Sequence, residues 1–410
     1  MKTLFLGFSA LVGYSFSLHA NDWVGWRGAD RTSISTETGL IQQWPDGGPK
    51  NVWLSREAGI GYSSFSVVDD KLFTMGAFDN KEYLLAFDAK NGKALWKTEV
   101  GKLLKNSWGD GPRSCPTVAN GLVYALGGSG NLLCVEPKKG TKAWSVNLIS
   151  DLGGKVPGWG YAESVLVDEG RVICTPGGKG GAIAALDAKT GKKLWSSTQF
   201  TDGAQYSSPI MIEHGGNRQY VQLVMRNLVG VKAETGALLW KSAWPGRTAV
   251  VPTPIHHNGH VFITSGYGVG CKLVKIGSDG TKDVYDNKNM KNHHGGVIKL
   301  GDYLYGYSDG YGWVCQDFKN GEIKWNEKKG LGKGAISYAD GRFYLQSEKD
   351  GSIALIDATP TGWKEHGRFL LTPQSKQRSS RGKIWTHPVI SNGRLYLRDQ
   401  ELLFCFDIKG

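Results

Sequence analysis

The 410-residue chain carries a formal net charge of +12, with 58 Gly, 15 Trp and 6 Cys. Leu-rich helical periodicity is absent, and abundant glycine with tryptophan indicates an all-β protein with many turns rather than a helical one. The six cysteines include no C-x-x-C and no adjacent pair, so a zinc or dithiol centre has no support, and their spacing is not that of a disulfide framework.

Met1 to Ala20 has a basic residue, a broken apolar stretch from about Leu4 to Phe16 and a polar exit at Asn21-Asp22, which predicts a secretory signal peptide over 1-20. The apolar run is too short to span about 30 Å of hydrocarbon, and no later stretch is a transmembrane candidate. A periplasmic or secreted location follows, and with it no nucleic-acid partner. Residues 21-48 lack strand alternation and are expected to form an arm held on the body by Trp23, Trp26 and Trp44.

From residue 49 onward one unit recurs. Its clearest copy is ALDAKTGKKLW, Ala185 to Trp195: an apolar strand end, an Asp-to-Gly turn and a new strand opening toward Trp. The Asp suits the turn because a carboxylate accepts from nearby backbone N–H groups, and Gly suits it because it tolerates positive φ. Further copies are AFDAKNGKALW (Ala86 to Trp96), CVEPKKGTKAW (Cys134 to Trp144), GVKAETGALLW (Gly230 to Trp240) and CQDFKNGEIKW (Cys315 to Trp325). Weaker ones centre on Gly280, Gly362 and Asp407, and the turn glycines from Gly92 to Gly362 recur at roughly 41 to 51 residues. That period, with strand-like content, predicts an eight-bladed β-propeller of four-stranded antiparallel blades over 49-410. PKNVW (Pro49 to Trp53) resembles the Gly-x-x-x-Trp half of the unit, while Thr386 to Asp407 supplies three strands and stops at the turn. The N-terminal strand is therefore expected to complete the last blade and close the ring. Cys134, Cys315 and Cys405 occupy the position that Ala86 and Ala185 hold in other copies, which makes them small buried strand residues.

Strand direction sorts the loops onto two faces. The A–B and C–D turns are short and carry Lys90, Lys138, Lys139, Lys189, Lys192, Lys193 and Lys319, a solvated basic face. The D–A loops on the opposite face are long and rich in aromatic and charged residues, as in KNSWGDGPRS, GGKVPGWGYAES, DNKNMKNHHGG and SSRGKIWTHP. Long loops on a rigid scaffold are where binding groups concentrate. Residues entering the innermost strand line the channel mouth, and by register these are Tyr62, Arg113, Glu163, Tyr206, His294 and His387, with Trp108, Trp159, Tyr161 and Trp385 as walls. The histidines split: His256, His257 and His260 fall on an A–B hairpin, and His293 and His294 on the long-loop face, so no single metal uses both groups. The glycine runs GGSG, GGKGG and GYGVG join strands and open no helix, which removes a phosphate-loop reading.

The Ala-x-Asp-x-x-Thr-Gly-x-x-x-Trp copies resemble the tryptophan-docking motif of PQQ-like repeat propellers, whose Trp packs between neighbouring blades. WGDGPR, WGYAES, KNMKNHHGG and YGYSDGYGWVCQDF are similar to exported PQQ-like proteins, with quinoprotein alcohol dehydrogenases and the propeller of the outer-membrane barrel-assembly machine (BamB) as related branches. The resemblance implies two functions. One is a non-catalytic platform for a protein or polysaccharide of the cell envelope. The alternative is PQQ- and Ca²⁺-dependent oxidation of an alcohol or sugar, for which the residues singled out by position are Arg113, Trp159, Tyr161, Glu163, His294, Trp385 and His387, with Asp110 as a second carboxylate. The adjacent Cys pair of many such dehydrogenases is absent, as is the lipid-bearing Cys of the barrel-assembly branch. No catalytic or metal-ligating residue is assigned.

Overall fold

The computed structural model describes residues 21–410; the expected signal peptide lies outside the described residues. The described residues form eight four-stranded antiparallel sheets, each a blade of strands A to D. Blade 1 runs through Ser66–Val68, Lys71–Phe78, Lys81–Asp88 and Ala94–Lys102, and blades 2 to 7 repeat that order along the chain. Blade 8 takes A to C from Val389–Ser391, Arg394–Asp399 and Leu402–Asp407, and its D strand is Asn51–Ser55, paired with Trp53 opposite Cys405. The first strands of blades 1, 2 and 3, and those of blades 6, 7 and 8, touch their neighbours around the axis. Among the described residues no helix is long and apolar enough to cross a membrane.

The repeated turn closes as its residue types require. Gly92, Gly140, Gly191 and Gly321 adopt φ between 69° and 76°, a region open to glycine at no steric penalty. Asp187 accepts from the Lys189 and Thr190 amides, and Asp88 and Asp317 accept in the same way from Lys90 and from Lys319 and Asn320. The glycine has a second task, because the Trp of the preceding blade lies on it. A Cβ at Gly92 would meet Trp53 at 2.5 Å, one at Gly140 would meet Trp96 at 2.4 Å, and one at Gly236 would meet Trp195 at 2.3 Å. Each indole then donates to a carbonyl of the neighbour's turn: Trp53 to Ala89, Trp96 to Pro137, Trp144 to Ala188, Trp195 to Ala233 and Trp325 to Thr359, all at 3.0–3.1 Å. Blade 5 carries Tyr285 against Gly321 instead.

Trp240 is the exception. Blade 5 replaces the docking turn with a two-residue reversal between Gly270–Gly277 and Gly280–Asn287, so no turn carbonyl is offered. Trp240 folds back on its own sheet, donates to Gln219 Oε1 at 2.7 Å and covers Gly230, where a Cβ would lie 2.3 Å from the indole. Gly at 230, where other copies have Ala or Cys, is the local adjustment that makes room.

The arm does more than pack on the body. Trp23 pairs with Val67 of blade 1, and Val24 accepts from the Val118 amide of blade 2. The Arg31 guanidinium donates to the carbonyls of Ser164, Val165 and Pro209 on blades 3 and 4. Trp26 donates to Thr253 at blade 5, Arg27 to the Val297 carbonyl of blade 6, Ser35 to Tyr338 of blade 7, and Asn21 accepts from Ser391 of blade 8. Residues 21–35 thus bond to all eight inner strands or their approaches and fill the axis of the ring. Arg27 and Arg31 are buried there, which pushes both guanidinium groups down to about 10. Trp44 continues outward onto Tyr344 and Phe369.

Candidate functional site

With the axis filled from the short-turn side, the long-loop face holds a closed-bottomed cup of about 170 Å³. Its floor includes Trp26 from the arm. Successive D–A loops supply Tyr62, then Trp108 and Arg113, then Trp159 and Ala162, then Tyr206, then Ala249 and Val251, then His294, and finally Trp385 and His387; Tyr267 enters from the B–C loop of blade 5. Each loop is set by the strands at its ends, so the wall is assembled from residues as far apart as Tyr62 and His387 by ring closure alone.

The aromatic groups brace one another. Tyr62 lies 5.0 Å from Trp385 between ring centroids, Trp385 4.8 Å from His294, His387 4.6 Å from Trp26, and Trp159 5.6 Å from Tyr206. These separations are typical of favourable offset and edge contacts. Polar anchors fix the loops that carry them: Tyr62 Oη donates to the Trp108 carbonyl at 3.0 Å, and the Trp159 amide donates to Tyr206 Oη at 3.1 Å.

Charge at the cup is sparse. Arg113 stands over Tyr62 and donates to the carbonyls of Gly109 and Gly111 at 2.7 and 2.6 Å; burial lowers its pKa. His387, 4% exposed, sits with Nε2 2.6 Å from the His294 carbonyl, so Nε2 carries the proton that is donated. Burial pushes the His387 imidazole down to about 4 and lowers that of His294, leaving both rings neutral at pH 7. Glu348 stands 3.9 Å from His294 Nδ1, beyond hydrogen-bond range. Among the described residues no Asp or Glu lines the cup.

Eight of the residues singled out from sequence as channel mouth or wall, Tyr62, Trp108, Arg113, Trp159, Tyr206, His294, Trp385 and His387, come together in this wall. Tyr161 and Glu163 go elsewhere. Tyr161 is fully buried in the interface between blades 2 and 3 and donates to the Pro176 carbonyl at 2.8 Å. Glu163 is buried behind the wall, where it accepts from the Thr175 amide and Gln222 Nε2, and burial pushes its carboxyl up to about 7. The run Tyr161-Ala162-Glu163 alternates its side chains, and only Ala162 faces the cup. Trp26 and Tyr267 escaped the sequence reading. Tyr267 was accessible to it, since B–C loops open on the same face as D–A loops.

The histidine split holds. His256 and His257 lie in Ile255–His257 on the short-turn face, apart from His293 and His294. Among the described residues no group of three His, Cys, Asp or Glu could hold a metal ion. All six cysteines are free and buried.

The fold and its docked tryptophans define a propeller of PQQ-like repeats. A family model described as "Outer membrane protein assembly factor BamB" (PQQ_2) matches residues 80–327, and the chain belongs to that family. Two relatives are similar over part of the chain. A quinohemoprotein alcohol dehydrogenase ADH-IIG of Pseudomonas putida is 30% identical over 32% of this chain and 18% of its own length. The dehydrogenase subunit of a quinone alcohol dehydrogenase from Gluconacetobacter polyoxogenes is 29% identical over 43% of this chain and 26% of its own. This chain therefore spans about a quarter or less of those relatives. Among solved structures, BamB from Moraxella catarrhalis superposes with TM-score 0.62 at 13% identity, covering 88% of this chain and all of that one. The quinohemoprotein alcohol dehydrogenase from Comamonas testosteroni gives 0.62 at 11% identity over 95% of this chain and 81% of its own. At such identities the likeness is one of fold.

Proposed function

We propose that this chain is a non-catalytic binding platform, exported by a signal peptide over residues 1-20 to the periplasm or beyond, whose aromatic cup and long loops hold a protein or polysaccharide partner. One observation carries this reading: the cup is walled by aromatic and small apolar groups with neutral imidazoles, and among the described residues no Asp or Glu lines it, the nearest being Glu348 behind His294. The description of the matched family, an outer membrane protein assembly factor, supports a place in the cell envelope.

The residues fit a quinone dehydrogenase poorly. Flat walls and Arg113 would suit an acidic ring system, but such an enzyme also needs an ionised carboxylate base and oxygen ligands for a cation that polarises the quinone. Glu163 is turned away and Asp110 accepts from the Asn106 amide within its own loop. Neither lines the cup.

Titration with PQQ, with and without Ca²⁺, followed by tryptophan fluorescence and by dye reduction with an alcohol or sugar, tests the reading. The expected result is no Ca²⁺-dependent saturation and no dye reduction. Tight Ca²⁺-dependent binding with turnover overturns it.

A further inference from the structure

Three features of the long-loop face point to one ligand chemistry. The first is Arg113, a guanidinium in the cup wall that forms no ion pair among the described residues: it donates to two backbone carbonyls, lies over the Tyr62 ring, and has the Glu82 and Asp110 carboxylates only at longer electrostatic range. A partly desolvated cation with no carboxylate in direct contact favours a ligand that supplies one. The second is a pair of buried polar atoms in the same wall with no hydrogen-bond partner, Trp385 Nε1 and His387 Nδ1. Because His387 donates through Nε2, its Nδ1 is a bare acceptor, whereas Trp385 Nε1 is a bare donor. Buried polar atoms are normally satisfied, so a ligand that both donates and accepts suits them. The third is a polar groove of about 490 Å³ beside the cup, lined by Lys155, Pro157, Gly158, Asp202, Gln205 and Arg226 among others. The Trp159–Tyr206 pair forms the ridge between cup and groove, since each stands next in sequence to a groove residue. Lys155 and Arg226 are exposed and unpaired, and the groove's carboxylate, Asp202, accepts from Asn227 Nδ2 at 2.8 Å.

We infer that this face binds an acidic polysaccharide, with one sugar ring in the cup and the following units laid over the Trp159–Tyr206 ridge into the groove. The inference rests on the platform reading and names its partner class. A pyranose presents apolar C–H faces to tryptophan and tyrosine and hydroxyl groups that donate to His387 Nδ1 and accept from Trp385 Nε1. Its carboxylate or sulfate takes a charge-assisted bond from Arg113, and acid groups further along the chain meet Lys155 and Arg226. On the opposite face Lys90 and Lys319 are already paired with Asp70 and Asp302, and among the described residues its short turns carry no aromatic cup.

The test titrates the full chain by calorimetry and tryptophan quenching with four probes: oligogalacturonate, sulfated dextran oligomers, neutral dextran oligomers, and PQQ with Ca²⁺. One or both acidic oligomers bind at least tenfold tighter than the neutral one, and comparing them separates carboxylate from sulfate. Arg113→Gln weakens binding at least tenfold. Since Arg113 also holds its own loop, the independent variant is the surface pair Lys155→Ala and Arg226→Ala. That pair weakens a tetramer several-fold and leaves galacturonic acid itself unchanged, while Lys189→Ala with Lys192→Ala on the opposite face changes neither. Equal binding of neutral and acidic oligomers, or acidic binding insensitive to the Lys155 and Arg226 pair, overturns the inference and leaves the platform standing. Ca²⁺-dependent PQQ binding without oligosaccharide binding overturns both.

Discussion

Gly230 and Trp240 show how one residue answers a change in a neighbouring blade. Deprived of a docking turn on blade 5, the indole lies over position 230, and a methyl group there would sit 2.3 Å from it. Gly230→Ala should therefore destabilise by about 1–3 kcal/mol, the range for overpacking a well-filled core, whereas the same methyl is native at Ala86 and Ala185 on the corresponding strands of blades 1 and 3. Urea denaturation checks this, and an unchanged midpoint would show that Trp240 has another resting place. Buried titratable groups give opposed pH branches. The Glu163 carboxyl, raised from 4.5 to about 7, contributes stability that is fully present below about 4.5 and is lost as pH rises through 7. His387, lowered from 6.5 to about 4, contributes stability that is present above about 6.5 and is lost as pH falls through 4. Each shift corresponds to an upper bound of about 3 kcal/mol. Glu163→Gln should flatten the upper branch and stabilise the protein at pH 8, and His387→Gln should flatten the lower one. Unfolding midpoints from pH 4 to 8 decide the matter: a Glu163→Gln curve parallel to the parent throughout refutes the assignment.

At the scale of elements, blades and arm differ in how they are written. A blade repeats its turn chemistry, Asp for the amides, Gly for positive φ and Trp for the neighbour, so the eight-fold order and its closure were legible from spacing alone. Residues 21–48 have no repeat and no strand alternation, because residues 21–35 bond one by one to eight different inner strands or their approaches; that they form an arm held by Trp23, Trp26 and Trp44 was legible, and their route through the axis was not. The channel-mouth residues were found by strand register, and the two that went elsewhere, Tyr161 and Glu163, sit where a loop side chain alternates between wall and interior, which no periodicity specifies. The arm's hold is concentrated in Arg31. Replacing it with Ala orphans the Ser164 and Pro209 carbonyls inside the ring, each a buried acceptor worth about 1–3 kcal/mol at most, while Val165 keeps its bond from Thr117 Oγ1. Arg31→Ala should lower stability by several kcal/mol and render the arm cleavable by limited proteolysis while the blades resist. Blade cleavage at the same rate as arm cleavage would mean that the arm and ring unfold as one unit.

Among the described residues the molecule has no central core. Its apolar side chains fall into eight clusters, each shared by two adjacent blades: Tyr124 and Leu132 with Val172 and Leu186, Val221 and Leu228 with Val261 and Val274, and so on round to Phe65 and Phe87 with Tyr396 and Leu403. Stability in such a ring is a circuit of like interfaces, and the interface of blades 8 and 1 is the one that must be completed by residues from both chain ends. There the Asp407 amide donates to the Lys50 carbonyl at 2.8 Å, reproducing across the termini the Asp88-to-Lys93 bond of an unbroken turn, and Trp53 docks on Gly92 and Ala89 as the other tryptophans dock on their neighbours. Trp53→Ala and Trp325→Ala remove the same type of contact, at about 3–5 kcal/mol for the buried Trp53 and less for the half-buried Trp325. They should differ in reach. Loss of Trp53 loosens the strand Asn51–Ser55 that ties blade 8 to the start of blade 1, so hydrogen exchange should accelerate in Leu402–Asp407 and in Lys71–Phe78 together, at opposite ends of the sequence. Loss of Trp325 should confine the acceleration to blades 6 and 7, whose connections remain covalent. Exchange changes limited to residues 49–55 in Trp53→Ala would show instead that the ring stays shut without this tryptophan, held by the eight-way grip of the arm at its axis.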